Sequence, residues 1–552
     1  MNFDTPYLTK QIIAYIGNKR KLLSLIYKAI DESGLKIKKG LKFGDFFAGS
    51  GVVSRFAKYL GFEVYCNDWE EYSRILAEGF IKTNKKDILE LFGSQEKFND
   101  FLSEFDNLPN PNDEDLYIAK YYAPKSEDIS KADYKVERLF YTKKNALIID
   151  KIRNKIENDY NGNDKIKNLL IAILLYQAAT HTNTSGVFKA FHKEFGGHGK
   201  DALKRILSNI TMEEPILIDS DYPVHVYNED ANILSKKLPE LDVVYLDPPY
   251  NQHQYGSNYH MLNSIAKWDK LPEPLSLTEK GVLKNKAGIR ADWVNTRSPY
   301  CYKNSAVDSF SELINSIKAK LILVSYSSDG IIPFEKMKEI CLSKGYVSIV
   351  TSGYTTYRGG KQSNKRVNSD IEFVLVIDTS KKALPECEEN IDKVLLEKKV
   401  LITLKRKFSK EKIELNFTET TDTTATIKFH NKEYVFPCID KFELGIPKDF
   451  EKYEKKDLEK ILSVLEKSVC ETKIEELRQI LNMCINGTEN EKKYIRLIPT
   501  TLKKIAQKKY KTDYYNLLKE VEALKQKKSD LYKIIENKLT EVKNIAEIRF
   551  NT

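Results

Sequence analysis

The run Leu241-Asp242-Val243-Val244-Tyr245-Leu246 stops at Asp247-Pro248-Pro249-Tyr250, and this junction restricts the fold more than any other stretch of the chain. The apolar run reads as a strand of an open α/β sheet. Two successive prolines end it at its carboxyl end, because they fix φ and remove two backbone N–H donors. That end is where open α/β sheets bind ligands. The Asp247 side chain and the Asp247 and Pro248 carbonyls therefore offer acceptors only, an arrangement suited to an amino group. Two acceptors gripping the hydrogens of a base amine favour a pyramidal nitrogen with a free lone pair, and the Tyr250 face can stack on the base.

A tight Pro-Pro turn with no chemistry also fits the tetrapeptide, so context decides. Upstream, Leu41-Lys-Phe-Gly-Asp45-Phe46-Phe47-Ala-Gly49-Ser-Gly51 reads as a strand entering a glycine turn, with Val52 to Leu60 as the following helix. Glycines there let backbone approach a ligand closely. Phe62 to Asp68 reads as a second strand ending in an acid at the place where nucleotide-binding α/β units hold ribose hydroxyls.

Taken in order, these motifs resemble the N6-adenine DNA methyltransferases of the group whose donor motif precedes Asp-Pro-Pro-Tyr. Tyr15-Ile-Gly17-Asn-Lys19-Arg-Lys-Leu is similar to that family's N-terminal donor motif, and Asp45 to Gly51 to its methionine-end loop. Asn67-Asp68-Trp69 resembles its ribose and adenine contact, and Asn228-Glu229-Asp230-Ala231 stands in the place of the acid that reads the donor's adenine. The resemblance covers roughly residues 10 to 375. It implies an α/β fold: a Rossmann-like S-adenosylmethionine-dependent methyltransferase sheet with an inserted target-recognition region and a C-terminal α+β extension. It implies S-adenosylmethionine as donor, bound by Tyr15, Lys19, Asp45, Phe46, Phe47, Gly49, Gly51, Asp68, Trp69, Asp230 and Ala231. Asp247 and Pro248 would hold the target amine and Tyr250 would stack on a base flipped from double-stranded DNA, as in a modification enzyme with a cognate restriction endonuclease.

Methyl transfer from a sulfonium is an in-line displacement that asks mainly for alignment, so no metal is expected. Cytosine-C5 chemistry needs an attacking cysteine, and none of the seven cysteines lies in a Pro-Cys motif. Their scatter without a Cys-x-x-Cys pair argues against structural zinc and for a reducing, cytoplasmic setting. No apolar run is long enough to span a bilayer, and no membrane partner is expected. The net charge of +10 arises from 89 basic against 79 acidic residues, which suits a polyanion partner or a soluble surface equally.

About 160 residues separate Asp68 from Asp230, far more than a connection needs. The expected organisation is a catalytic domain over residues 1–79 and 206–379, an inserted recognition region over 80–205, a β-rich region over 380–456 and a helical region over 457–552. Within the insertion, Leu169 to Ala179 reads as an apolar helix leading into a segment where Asn183, Lys189, His192 and Lys193 suit contacts to DNA. The family's usual arginine and proline are absent there. Residues 270–305 form a second insertion, read either as closing over DNA or as a solvent loop. Tyr346 onward reads as a terminal hairpin whose loop gathers Tyr357, Arg358, Lys361, Lys365 and Arg366 as a phosphate clamp. In the tail, Val400 to Phe408, Lys412 to Phe417, Thr423 to Phe429 and Tyr434 to Phe436 read as strands by their period of two. Leu517 to Ile545 places apolar residues on one helical face, suggesting a packed hairpin or coiled coil and self-association. A methyltransferase acting on an RNA base amine, N4-cytosine methylation and a DNA-binding protein without activity remain as alternatives.

Overall fold

The computed structural model describes residues 3–197, 200–351, 371–440, 443–486 and 491–551. The chain divides into two compact units, the first comprising residues 1–352 and 372–388. Its centre is a seven-stranded sheet built from β1 (Lys42–Asp45), β2 (Glu63–Asn67), β3 (Val224–Tyr227), β4 (Leu241–Leu246), β5 (Ala319–Ser327), β6 (Tyr346–Thr351) and β7 (Glu372–Asp378). The order is β3-β2-β1-β4-β5-β7-β6. Every pairing is parallel except those of β7, which runs antiparallel between β5 and β6. This is the mixed α/β sheet the sequence predicted.

Burial explains the strand sequences. β4 and β5 lie inside the sheet and are apolar almost throughout, with only Asp242 and Lys320 reaching outward near their starts. Edge strand β6 buries only Val347 and Val350. The helices Leu23–Glu32 and Val52–Tyr59 cover one face through a cluster that includes Ile26, Ile30, Val53 and Phe56 against Phe43, Val243, Leu321 and Val374. The helices Ala231–Lys237, Ala306–Ser316 and Phe334–Lys344 lie in the connections that lead to β4, β5 and β6 and pack in series, the first on the second and the second on the third. The order reverses at β1, whose neighbours are β2 on one side and β4 on the other, so a crevice opens where their carboxyl ends diverge.

The insertion belongs to the same compact unit. Its helix Asp164–Thr180 is apolar around most of its circumference and packs against Glu71–Ala77, Glu78–Lys82, Lys143–Tyr160 and His260–Lys267. At Gly79 the backbones approach so closely that a Cβ would stand 2.4 Å from the Ala172 methyl. Buried Arg153 closes the end of His260–Lys267 by donating to the Ile265 and Ala266 carbonyls at 2.7 and 3.2 Å.

The second unit comprises residues 353–371 and 389–552. Two expected strands here are helices. Val400 to Leu404 completes the helix Pro385–Leu404, and Lys412 to Asn416 lies in the helix Lys410–Asn416. The proline and the acids Glu386 and Glu388 in the first turn are helix-start chemistry, and they outweigh the short alternation of Val400-Leu-Ile-Thr-Leu. The other two strand readings hold within a small antiparallel sheet: β8 (Glu419–Thr420), β9 (Thr424–Phe429), β10 (Lys432–Asp440) and β11 (Glu443–Leu444). The helices Lys511–Lys527 and Ser529–Asn551 form a hairpin whose apolar seam, from Leu517 through Leu539, is buried within the chain together with Lys473–Asn486 and Ile498–Ile505. That seam is used internally, which removes the ground for self-association through it.

Candidate active site

The crevice at the β1–β4 switch is a cleft open to solvent at its mouth. Tyr15, Phe46, Phe47, Asp68, Trp69, Asp230, Ala231 and Asp247 all line it. Residues from five separate sequence motifs, the first and last more than 200 positions apart, thus share one cavity.

The turn after β1 is drawn tight by its own polar groups. Gly49 N–H donates to Asp68 Oδ2 at 2.7 Å, and Ser73 Oγ donates to the Gly49 carbonyl at 2.7 Å. Gly49 has φ +53°, and a Cβ there would stand 2.5 Å from the Tyr15 ring, so glycine is what lets Tyr15 lie against the turn. Tyr15 is held from behind by stacking on Tyr255 and Tyr259 at centroid distances of 5.3 and 4.7 Å. Asn67 joins the turn to the β3 loop, donating to the Phe46 and Glu229 carbonyls and accepting from Glu229 N–H at 3.0–3.1 Å. Asp45 and Gly51 lie outside the lining. Fully buried Asp45 accepts from Ser54 Oγ at 2.7 Å through Oδ2, while its Oδ1 has no hydrogen-bond partner. Gly51, at φ +77°, begins the helix Val52–Tyr59.

Five carboxyl groups, of Asp68, Glu70, Glu229, Asp230 and Asp247, line this cavity, and that of Asp45 underlies it. Burial pushes Asp45 up to about 7, Asp68 up to about 6 and Glu70 up to about 7. A cationic guest would favour their ionised forms. Asp230 caps the helix Ala231–Lys237, accepting from Asn232 and Ile233 N–H through Oδ1 alone at 2.9 and 3.1 Å. Its Oδ2 takes no part in the cap and remains to accept from a ligand amine.

At the other end of the cavity stands Asp247. Lys19 Nζ lies 3.1 Å from Asp247 Oδ1, 3.9 Å from Glu372 Oε2 and 5.4 Å from the centre of the Tyr250 ring. Lys19, expected to bind the donor, is only 5% exposed and lies beside Asp247 rather than among the residues lining the cavity. Burial opposes its charge, but the two carboxylates hold its pKa above the ordinary lysine value. For Asp247, burial pushes the pKa up to about 6 against the lowering effect of Lys19, and the Glu372 charge adds to the rise. Tyr250 packs edge-on against Tyr326 at 6.0 Å, and its carbonyl accepts from Ile331 N–H at 3.1 Å. Pro248 is buried beside Asp247.

The sequence did not assign Glu70, Thr296, Ser298 or Tyr300 to this cavity, yet all four line it. The last three come from the 270–305 insertion, part of which therefore walls the cavity rather than forming a solvent loop. Ser298 and Gln254 exchange two hydrogen bonds, of 2.8 and 3.1 Å, which tie this strap to the segment after Tyr250. Tyr300 donates to Asn232 Oδ1 at 2.7 Å and stands edge-on to Phe47 at 5.4 Å. Buried Arg138 anchors the strap's base through the Glu273 and Asn285 carbonyls.

Of the residues expected to meet DNA, Lys189 and Lys193 are exposed and His192 is half-buried. Asn183 is not available: it is fully buried, donates to the Leu139 and His192 carbonyls and accepts from Gly196 N–H at 3.0–3.1 Å. Its amide shapes the loop instead. Tyr357, Arg358, Lys361, Lys365 and Arg366 lie outside the described residues. Among the described residues, no cluster of three His, Cys, Asp or Glu is placed to hold a metal, and no helix is long and apolar enough to cross a membrane.

Comparison with known proteins adds an independent line. The model of the D12 class N6 adenine-specific DNA methyltransferases matches residues 15–340. The chain is 32% identical over 370 residues to Type II methyltransferase M.NlaIII of Neisseria lactamica, an alignment covering 66% of this chain and 98% of that protein. It is 29% identical over 377 residues to Type II methyltransferase M.CviAII of Paramecium bursaria Chlorella virus 1, covering 66% and 97%. With Type II methyltransferase M.FokI of Planomicrobium okeanokoites it shares 30% identity over 370 residues, 66% of this chain but 52% of that longer protein.

Proposed function

Because the chain belongs to the D12 class N6 adenine-specific DNA methyltransferases, we propose that it moves the methyl group of S-adenosylmethionine to N6 of an adenine flipped out of duplex DNA, at one recognition sequence. We further propose that it is the modification half of a restriction–modification pair, a reading supported by relatives named Type II methyltransferases, and that it works in the cytoplasm, where its DNA substrate would be met.

The observation that carries this reading is that Asp247 shares one cavity with the aromatic and acidic lining of the β1–β4 switch. A base amine held by the Asp247 carboxylate and the Pro248 carbonyl would therefore stand against a guest bound between Tyr15, Phe47 and Trp69. The donor fits the residues present: its sulfonium and ammonium charges suit the acidic lining, and its adenine amine suits Asp230 Oδ2. When bound, it supplies an activated methyl group on positive sulfur. The protein's part is alignment and a polar grip on the amine, from which a proton must leave after transfer. Tyr250 is assigned to stacking on the extruded base, which offsets part of the few kcal/mol that flipping costs. Lys189, Lys193 and the partly exposed His192 are assigned to the DNA backbone near the insertion.

The test is incubation with labelled S-adenosylmethionine and, separately, mixed-sequence duplex DNA and unmodified RNA, followed by nucleoside analysis. N6-methyldeoxyadenosine is the expected product. Label confined to RNA, or to cytosine, would overturn the reading.

A further inference from the structure

We propose that the second unit carries a binding surface for the phosphate backbone of duplex DNA, centred on the junction between the helices Ile498–Ile505 and Lys511–Lys527. The choice of duplex DNA as the polyanion rests on the proposed function; the surface itself rests on the following geometry. Residues 492–512 contain eight basic residues and no acidic one: Lys492, Lys493, Arg496, Lys503, Lys504, Lys508, Lys509 and Lys511. The family model ends at residue 340, so nothing in that match accounts for this stretch.

Elsewhere in the unit, lysines are commonly neutralised by neighbours, as in Lys432 with Asp457, Lys455 with Asp392 and Lys525 with Glu536. Within the stretch only Lys493 has such a partner among the described residues, Glu443 at 3.2 Å. Arg496, Lys503, Lys504, Lys508 and Lys509 are all exposed and without a carboxylate in ion-pair distance among the described residues. Uncompensated charge at this density opposes folding unless a counter-charge arrives.

The scaffold beneath is firm. Ile498, Leu502 and Ile505 are buried in the unit's helical core, which turns Arg496, Thr500, Lys503, Lys504 and Gln507 outward. Arg549 Nη1 donates to the Lys503 and Ala506 carbonyls at 2.9 and 3.2 Å, fixing the end of the helix. Lys509 lies over the Tyr510 ring at 4.5 Å. Cations interleaved with Thr, Gln and Tyr donors are the composition that contacts phosphate oxygens. The helix Ile498–Ile505 alone extends roughly 12 Å at helical rise, enough to follow about three to four phosphates of one strand at about 3.4 Å each.

The experiment compares the full chain with its Lys503→Gln/Lys504→Gln/Lys508→Gln/Lys509→Gln variant, using fluorescence anisotropy on a labelled mixed-sequence duplex across a salt series. A Lys456→Gln/Lys460→Gln/Lys467→Gln variant, altered at exposed lysines of the helix Lys455–Ser468, serves as control. Each lost phosphate contact lowers the slope of log K against log salt by about 0.9, so the slope should shallow by about 2–4, with melting temperature not lowered and the control matching the unaltered protein in slope. An unaltered slope in the quadruple variant overturns the proposal, as does an equal change in the control. So does binding of the patch to phosphatidylserine vesicles with no change on DNA. Because the readout is binding, loss of the slope with no methylated product would condemn the proposed function and leave the surface standing, and methylation with an unchanged slope would do the reverse.

Discussion

Replacing Lys19 by methionine keeps most of the side chain's length and removes its charge from beside Asp247. At 3.1 Å, two unit charges interact by about 5 kcal/mol at an effective dielectric near 20. This overstates the change, since Lys19 also carries a burial cost and is shared with Glu372; neighbouring opposite charges lower carboxyl pKa values by about 1–3 units. The sign follows from the native value. Asp247 is pushed up to about 6, so its ionised, amine-gripping form prevails above that pH and is lost as pH falls through it. Without Lys19 the acidic limb of kcat should move from about 6 to about 7–9. A two-unit move would leave about a quarter of the enzyme ionised at about pH 7.5, a roughly fourfold loss recovered near pH 9. The assay is single-turnover methylation of duplex DNA at saturating donor from about pH 5.5 to about 9.5, with donor affinity measured by calorimetry. A limb that stays put, or a loss equal at every pH, would refute the view that Lys19 acts by keeping Asp247 charged.

Glu372→Gln removes a charge that raises Asp247, so the same limb should move to lower pH; a move upward would show that Glu372 acts mainly through another group. Asp247→Ala should abolish methylation with donor affinity nearly unchanged by calorimetry, and retained turnover would discard the amine-grip assignment. Asn183→Ala leaves two carbonyls and an N–H without their buried partner, a cost of about 2–3 kcal/mol; a lowered melting temperature is expected, and a normal one with weakened DNA binding would restore the contact role. Gly49→Ala combines left-handed backbone strain with a Cβ 2.5 Å from Tyr15, which should weaken donor binding at least about tenfold; unchanged affinity would mean that Tyr15 moves freely.

The parts of the site legible in the sequence were those written locally. A strand that ends at Asp247-Pro248-Pro249, a glycine turn after β1 and an acid after β2 each carry their geometry in adjacent residues, and the parallel sheet follows from apolar β4 and β5. The Lys19 ion pair was not legible because it joins a residue 228 positions away, which spacing does not encode. Tyr300 and Ser298 were hidden for the same reason: the strap is placed by Arg138 and Gln254, not by its own pattern. Asn183 had the composition of a DNA contact, but the amide that suits a base edge suits a buried carbonyl as well. In the tail, five residues of alternation at Val400 misled because β-branched residues fit a helix once Pro385 and its acids have started one.

The neighbours β1 and β4 are about 200 residues apart in the chain. During synthesis at about 5–20 residues per second, β1 leaves the ribosome roughly 10–40 s before β4 can pair with it. Through that interval β1 holds one side of its backbone ladder open, a template for pairing with any passing strand. The helical insertion emerges meanwhile, and its apolar helix Asp164–Thr180 packs on the helix Glu71–Ala77, already made. The order of synthesis thus assigns the insertion a second task, to hold the nascent half-sheet compact until its missing strand arrives.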